Sequence, residues 1–215
     1  TRVYNSICAL GHWRRALQLA HSYSDKRIAF GKRISEQPLH KRTLQNLEAE
    51  FAKAFHLTFY VAHLLGKDEV GTASENEKVL LRALTPIIKL YTAKRCMEAV
   101  SEVVEIFGGV GYIEDSGIPT LFRDAQVFSI WEGTTNVLSL DFLRAIEKEN
   151  AGPVIFEVLK TNFAQALKDP LIAGKLNEIQ SILSNKNREE LEAQARVVSF
   201  LVADVFSLAL LMANE

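Results

Sequence analysis

The 215 residues carry 25 lysines and arginines against 26 aspartates and glutamates, a formal charge of −1, and 48% of them are hydrophobic. That composition supports a sizeable core, excludes a disordered tail, and supplies no global field to draw the chain onto nucleic acid or an anionic bilayer. Cys8 and Cys96 have no Cys-x-x-Cys partner and no histidine at ligand spacing, so both read as reduced core residues and no metal site is expected.

The sequence opens on Thr1-Arg2 with neither a basic-then-apolar signal segment nor an Arg-rich transit peptide, as expected of a piece of a longer protein. Only 11 glycines and 5 prolines punctuate it and no run alternates like a strand, so the fold class reads as all-α, an up-down helical bundle. A first helix is expected over residues 4–28, where Ile7, Leu10, Trp13, Ala16, Leu17 and Ala20 return at helical spacing. The second spans 39–65, with Leu44, Leu47, Phe51, Phe55 and Phe59 on its apolar side and Gly66 as its C-terminal cap. Ser74 and Glu77 then form a capping box for a third helix, which runs to about residue 107 and bends near Pro86. A fourth helix begins near Thr134. Each has an apolar face that only its neighbours can cover, which makes a bundle.

From about Asn150 the character changes. The turn "ENAGP" precedes three shorter helices, over 153–168, 170–184 and 187–214, dividing the chain into a bundle at 1–149 and an appended helical subdomain at 150–215. Asn187 with Glu190 gives the last of these its start signal. Its stretch "VVSFLVADVFSLALLMA", residues 197–213, is interrupted by Asp204 and falls short of the ~20 apolar residues of a membrane span. It reads as a buried helix, with a partner-facing or membrane-surface helix as the alternative.

Three segments carry residue types suited to chemistry. In "SIWEGTTN", residues 129–136, Glu132 follows Ile130 and Trp131, which would raise its pKa by desolvation, and precedes a helix start whose amides would lower it. Gly133, Thr134, Thr135 and Asn136 offer free amides, hydroxyls and a carboxamide to a polar or anionic group, or simply cap the helix. In "EIFGGVGYIEDSGIP", Gly108, Gly109 and Gly111 permit a close backbone approach, but the segment follows a helix and lies in no βαβ unit, so it is no dinucleotide fingerprint. In "DKRIAFGKRISEQP", Arg27 is a fork donor suited to phosphate and Phe30 an aromatic face beside a glycine; a solvated helix end is the plain alternative. His40, His56 and His63 have no partner at metal-binding spacing and read as packing or surface residues.

The order of these pieces is more informative than any one of them. R-x-x-F-G-K, then Q-P-L and a long helix, then E-I-F-G-G-x-G-Y, then L-F-R-D-A-x-V, then I-W-E-G-T-T-N resembles the C-terminal helical domain of the acyl-CoA dehydrogenase family. Within that family, "KLYTAKRCMEAVSEVVEIFGGVGY", "SIWEGTTNVLSLDFLR" and the additional C-terminal helices resemble the alkylation-response, AidB-type branch.

The resemblance implies an FAD-dependent α,β-dehydrogenation of an acyl-CoA thioester with Glu132 as the base that removes the α-proton. It implies that Arg27 grips the FAD pyrophosphate of a neighbouring subunit with Phe30 against the cofactor. Glu105 and Gly109 match positions near the adenine end; Ile130, Trp131, Gly133, Thr134, Thr135 and Asn136 match the segment along the dinucleotide. Arg2 matches a substrate-pocket arginine of some members, and Arg144 an arginine linked to DNA contact in the AidB-type branch. Glu105 and Asn136 stand where many members have glutamine, and Trp131 where tyrosine is common.

A homodimer or homotetramer sharing FAD between subunits is implied, with an electron-transfer flavoprotein as a candidate acceptor, in the bacterial cytoplasm or the mitochondrial matrix. The family's N-terminal helical and central β domains are not in this chain, so it is expected to bind FAD weakly and turn over little substrate by itself. The alternative function is a flavin-containing DNA-associated protein with little dehydrogenase activity. Since Arg144 has only Lys148 as a close basic neighbour, with Glu147 and Glu149 beside it, DNA binding is not the expectation.

Overall fold

The computed structural model describes residues 1–213 and is built almost wholly of helix. Helix α1 (Arg2–Ser24) leads through a two-stranded hairpin, β1 (Ile28–Ala29) and β2 (Lys32–Arg33), into α2 (Pro38–Glu69) and α3 (Glu75–Phe107). Two short helices, α4 (Gly109–Tyr112) and α5 (Ile118–Val127), carry the chain to α6 (Thr135–Lys148). Then come α7 (Ala151–Asn162), α8 (Pro170–Leu183), α9 (Arg188–Ala193) and α10 (Ala195–Ala213).

Helix α3 is the axis of the molecule, and α1, α2, α5, α6, α7 and α10 all pack on it. Its residues 86–93 are buried without a break, on every side of the helix, as expected of one enclosed by others, and they include one charged residue, Lys89. It begins at the expected capping box, with Glu77 N donating to Ser74 Oγ and Ser74 N to Glu77 Oε2 at 2.8 Å. On α1, Leu10, Trp13, Ala16, Leu17 and Ala20 are buried as their spacing predicts, while Ile7 is only partly buried against the same core.

Helices α7 to α10 continue the same core: Ile155, Ile179, Val202 and Phe206 belong to one apolar cluster with Leu57, Leu84 and Val100. Asp204 of α10 accepts from Lys175 of α8 at 2.7 Å, and the Arg95 guanidinium of α3 lies over the rings of Tyr91 and Phe200. Among the described residues Ala195–Ala213 is the one helix long and apolar enough to cross a membrane, and Val198, Val202, Val205 and Phe206 bury its inner face in the protein.

Several local expectations are corrected. Helix α1 stops at Ser24, because Lys26 N and Arg27 N bond back to Tyr23 O and turn the chain into the hairpin. The hairpin loop is Phe30-Gly31, with φ of 51° and 81°; two consecutive left-handed residues are the mirror-image turn that suits a two-residue loop. Gly66 lies inside α2, which runs on to Glu69. The buried stripe of α2 is Leu44, Ala54, Leu57, Val61 and Leu64, whereas Phe55 and Phe59 sit one position further round, 40% and 45% exposed, packed on each other with ring centroids 4.6 Å apart.

Cys8 is exposed rather than in the core, on the outer face of α1 with Gly11, Arg15 and Gln18; Cys96 is buried. The last expected helix is two, α9 and α10, divided at Gln194, and the Asn187 side chain caps α9 through Glu189 N and Glu190 N.

Three helices meet on one carboxylate. Asp141 of α6 accepts from Arg2 Nη1 of α1 at 2.5 Å and from Arg82 Nη2 of α3 at 2.8 Å. Burial pushes its pKa up, but the two guanidinium hydrogen bonds and their charges outweigh burial and hold it below the usual aspartate value. A carboxyl whose folded pKa is depressed stabilises the fold above its unfolded pKa and loses that contribution as pH falls through the folded one. Asp141→Asn is therefore expected to cost about 2 kcal/mol at pH 7 by denaturant titration. The gap from the parent chain should begin to narrow as pH falls below about 4 and close once the folded pKa is passed; a gap that stays constant throughout that fall would contradict the assignment.

Candidate active site

The connection from α5 to α6 presents Glu132, and the sequence dictates its course. After Val127 the helix unwinds: Ile130 N and Trp131 N both bond to Val127 O, at 2.9 and 3.3 Å. Asn5 of α1 then clamps the segment, its Nδ2 donating to Phe128 O at 3.1 Å while its Oδ1 accepts from the Trp131 indole Nε1 at 2.7 Å. Glu132 and Gly133 follow with φ of 58° and 109°. Left-handed backbone is costly for a residue with a Cβ, on the order of 1–3 kcal/mol, and such strain clusters at functional sites. Gly133 has a further reason to lack a side chain, since a Cβ there would stand 3.1 Å from Leu138 Cδ2.

Three side chains hold this turn from the protein side. Arg2 Nε donates to Glu132 O at 3.3 Å, Thr1 Oγ1 donates to Glu132 Oε2 at 2.8 Å, and Lys89 Nζ donates to Gly133 O at 2.5 Å. Lys89, on α3, is fully buried; burial and the charge of Arg2 bring its pKa down to about 8, against the pull of Glu132. Outward, Glu132 is exposed, next to Ile130 and Trp131 at 56% and 52% exposure. The expected desolvation of the acid by those two side chains is not supplied within this chain, because the indole N–H tethers Trp131 to α1. Thr134 stands at the N-cap of α6 without a side-chain cap hydrogen bond; Thr135 is buried and Asn136 exposed.

At the other end of α1 lie the remaining candidates. Arg27 is exposed and its guanidinium has no partner among the described residues, while Phe30 is fully exposed at the hairpin tip. The stacked rings of Tyr23 and Phe107, 4.3 Å between centroids, bring the glycine segment to this same end. There Gly111 packs so closely that a Cβ would fall 2.4 Å from Val104 O. Beside it opens a cleft of about 620 Å³ whose lining includes Val104, Glu105, Tyr112, Phe122 and Arg123. Glu105 and Gly109 are exposed at this end of α3 and the start of α4.

The candidates thus form two groups, the Glu132 turn at the N-terminal end of α1 and Arg27, Phe30, Glu105 and Gly109 near its C-terminal end. The 23 residues of α1 hold them roughly 33 Å apart at about 1.5 Å per residue. Arg2 is held by Asp141 and the Glu132 carbonyl, beneath the turn. Arg144 is exposed on α6 near Lys148 and Arg188, but Arg188 is paired with Glu147 and Glu192. Asn5, Arg82, Lys89 and Asp141 escaped the sequence reading; the one visible sign was a lysine inside the apolar run "PIIKLYTA".

Residues 1–147 match the family described as acyl-CoA dehydrogenase, C-terminal domain. Acyl-CoA dehydrogenase family member 11 of Caenorhabditis elegans is 40% identical over 99% of this chain and 37% of its own length. The putative acyl-CoA dehydrogenase AidB of Escherichia coli K12 is 35% identical over 74% of this chain and 28% of its own. The solved structure of Caenorhabditis elegans ACDH-11 in complex with C11-CoA superposes with a TM-score of 0.89 at 39% identity, over 97% of this chain and 38% of that one. The chain spans less than two fifths of the length of these relatives. The helical fold and the sequence match agree, and this chain belongs to the acyl-CoA dehydrogenase family through that family's C-terminal domain.

Proposed function

We propose that the chain is the C-terminal part of an FAD-dependent acyl-CoA dehydrogenase in which Glu132 is the catalytic base. The observation that carries this reading is the conformation of Glu132: a charged residue held left-handed, anchored from below by Arg2 and Lys89, with its carboxylate on the open face. A base must meet its proton within hydrogen-bond reach, and a rigid turn fixes that approach. Glu132 takes the α-proton of the thioester, the β-hydrogen leaves as hydride, and the product is the α,β-unsaturated thioester. FAD, when bound, supplies the acceptor for that hydride.

Ile130 and Trp131 expose apolar surface beside the turn, on which an acyl chain can settle and exclude water from the acid. The groups at the far end fit the dinucleotide: Arg27 is an unpaired fork donor for phosphate, and Phe30 is a free aromatic face. The Arg144 surface gives no support to a DNA-associated role, since its neighbour Arg188 is neutralised by Glu147 and Glu192.

The separation of the two groups along α1 is more than one dinucleotide spans, which supports a cofactor shared between copies, with Glu132 of one chain and Arg27 of its neighbour at each site. In the full-length protein, Glu132→Gln is expected to leave FAD bound while slowing anaerobic bleaching of the flavin by acyl-CoA by at least about 10²-fold. Bleaching at the parental rate would place the base elsewhere. Mixing Arg27→Ala with Glu132→Gln chains during assembly should restore activity to about a quarter of the parental value, because half the pairs then hold one intact site. No recovery would contradict a shared site.

A further inference from the structure

We propose that Lys89 is a positioning residue for Glu132: from the middle of the bundle its ammonium holds the Gly133 carbonyl, and so keeps the Glu132–Gly133 turn in the left-handed form that presents the carboxylate. The inference rests on the reading of Glu132 as the base.

A lysine at this place has no packing rationale. Lys89 is completely buried, and residues 86–93 around it are buried on every side of α3. Removing an ammonium from water is expensive, so such a group persists where it is paired and hydrogen-bonded. The bond Lys89 makes here is at 2.5 Å to the carbonyl of the residue that follows the candidate base. That carbonyl closes a run of two successive left-handed residues, a conformation that relaxes unless it is held. A charge-assisted bond is roughly twice as strong as a neutral one, so the grip depends on the proton that Lys89 carries.

Two charged groups bear on that proton. Arg2 of α1 disfavours it and Glu132, across the turn, favours it; among the described residues α2, α5, α7 and α10 bring no charge to bear on it. Asp141 of α6 is engaged by Arg2 and Arg82 instead. With its pKa near 8, Lys89 is charged at neutral pH and loses its proton in mildly alkaline solution, where its bond to the Gly133 carbonyl becomes a neutral one and its grip on the turn weakens.

The test uses the FAD-loaded full-length protein and the variants Lys89→Met and Lys89→Arg. Lys89→Met is expected to lower kcat on the order of 10²-fold with KM nearly unchanged, the signature of a misplaced group rather than lost binding. Lys89→Arg, which keeps its proton, should recover most of the rate and retain it above pH 8, where the parental rate declines. Crystal structures supply a readout free of activity: the Glu132–Gly133 turn should leave its left-handed conformation in Lys89→Met, and in the parental protein above about pH 9. A parental rate in Lys89→Met, or an unmoved turn in both crystals, overturns the proposal. If instead Glu132→Gln keeps its activity, the base assignment fails, while the crystallographic comparison still decides whether Lys89 holds the turn.

Discussion

The site depends on one constraint: residues 128–134 must carry the chain from α5 into α6 by way of two left-handed residues, one of which has a side chain. Gly133 meets the demand by lacking a Cβ, which at its φ of 109° would be strained and would crowd Leu138. Glu132 meets it only because the turn is held. Asn5 fixes its start through Phe128 O and the Trp131 indole, Arg2 reaches the Glu132 carbonyl, and Lys89 reaches the Gly133 carbonyl. These anchors come from α1 and α3, the pair with the most extensive contact in the molecule. The packing of the bundle is thereby transmitted to the position of one carboxylate.

The same helix that anchors the turn separates it from the other candidate residues. Rigidity along α1 keeps Glu132 and Arg27 at opposite ends, so no motion short of unfolding joins them in one chain. The exposure of Ile130, Trp131 and Phe30, large apolar groups on the open surface, is consistent with faces that other parts of a longer protein, or another copy, complete. The region after Asn150 stands apart from that arrangement. Phe206, Ile179 and Leu159 extend the core that surrounds α3, and Asp204 ties α10 to α8, which makes this region a buttress for the central helix.

Much of the fold was legible in the sequence, for reasons that show where legibility ends. The stripes of α1 and the capping box at Ser74 are local signals, and local signals survive in the folded chain. The start of α6 near Thr134 is legible from the apolar rhythm that follows it, whereas Glu132 and Gly133 stand out only through the order of the motifs. The hairpin at Phe30 was not, because two-residue strands have no periodicity and a phenylalanine is a poor signal for a left-handed turn. The face of α2 was misread where the aromatic residues drift off the buried stripe, and Cys8 because one position on a helix decides inside from outside. Lys89, Asp141 and Asn5 act across more than forty residues of sequence, a distance at which a single chain carries no pairing signal.

The central claim is that the turn delivers the Glu132 carboxylate to a thioester. A crystal structure of the full-length protein with FAD and a non-reactive acyl-CoA analogue tests it most directly. The account predicts a Glu132 carboxylate oxygen about 3–3.5 Å from the α-carbon of the thioester, on the face opposite the flavin, with Gly133 still bonded to Lys89. A carboxylate pointing into solvent, with another acid at the α-carbon, would contradict it.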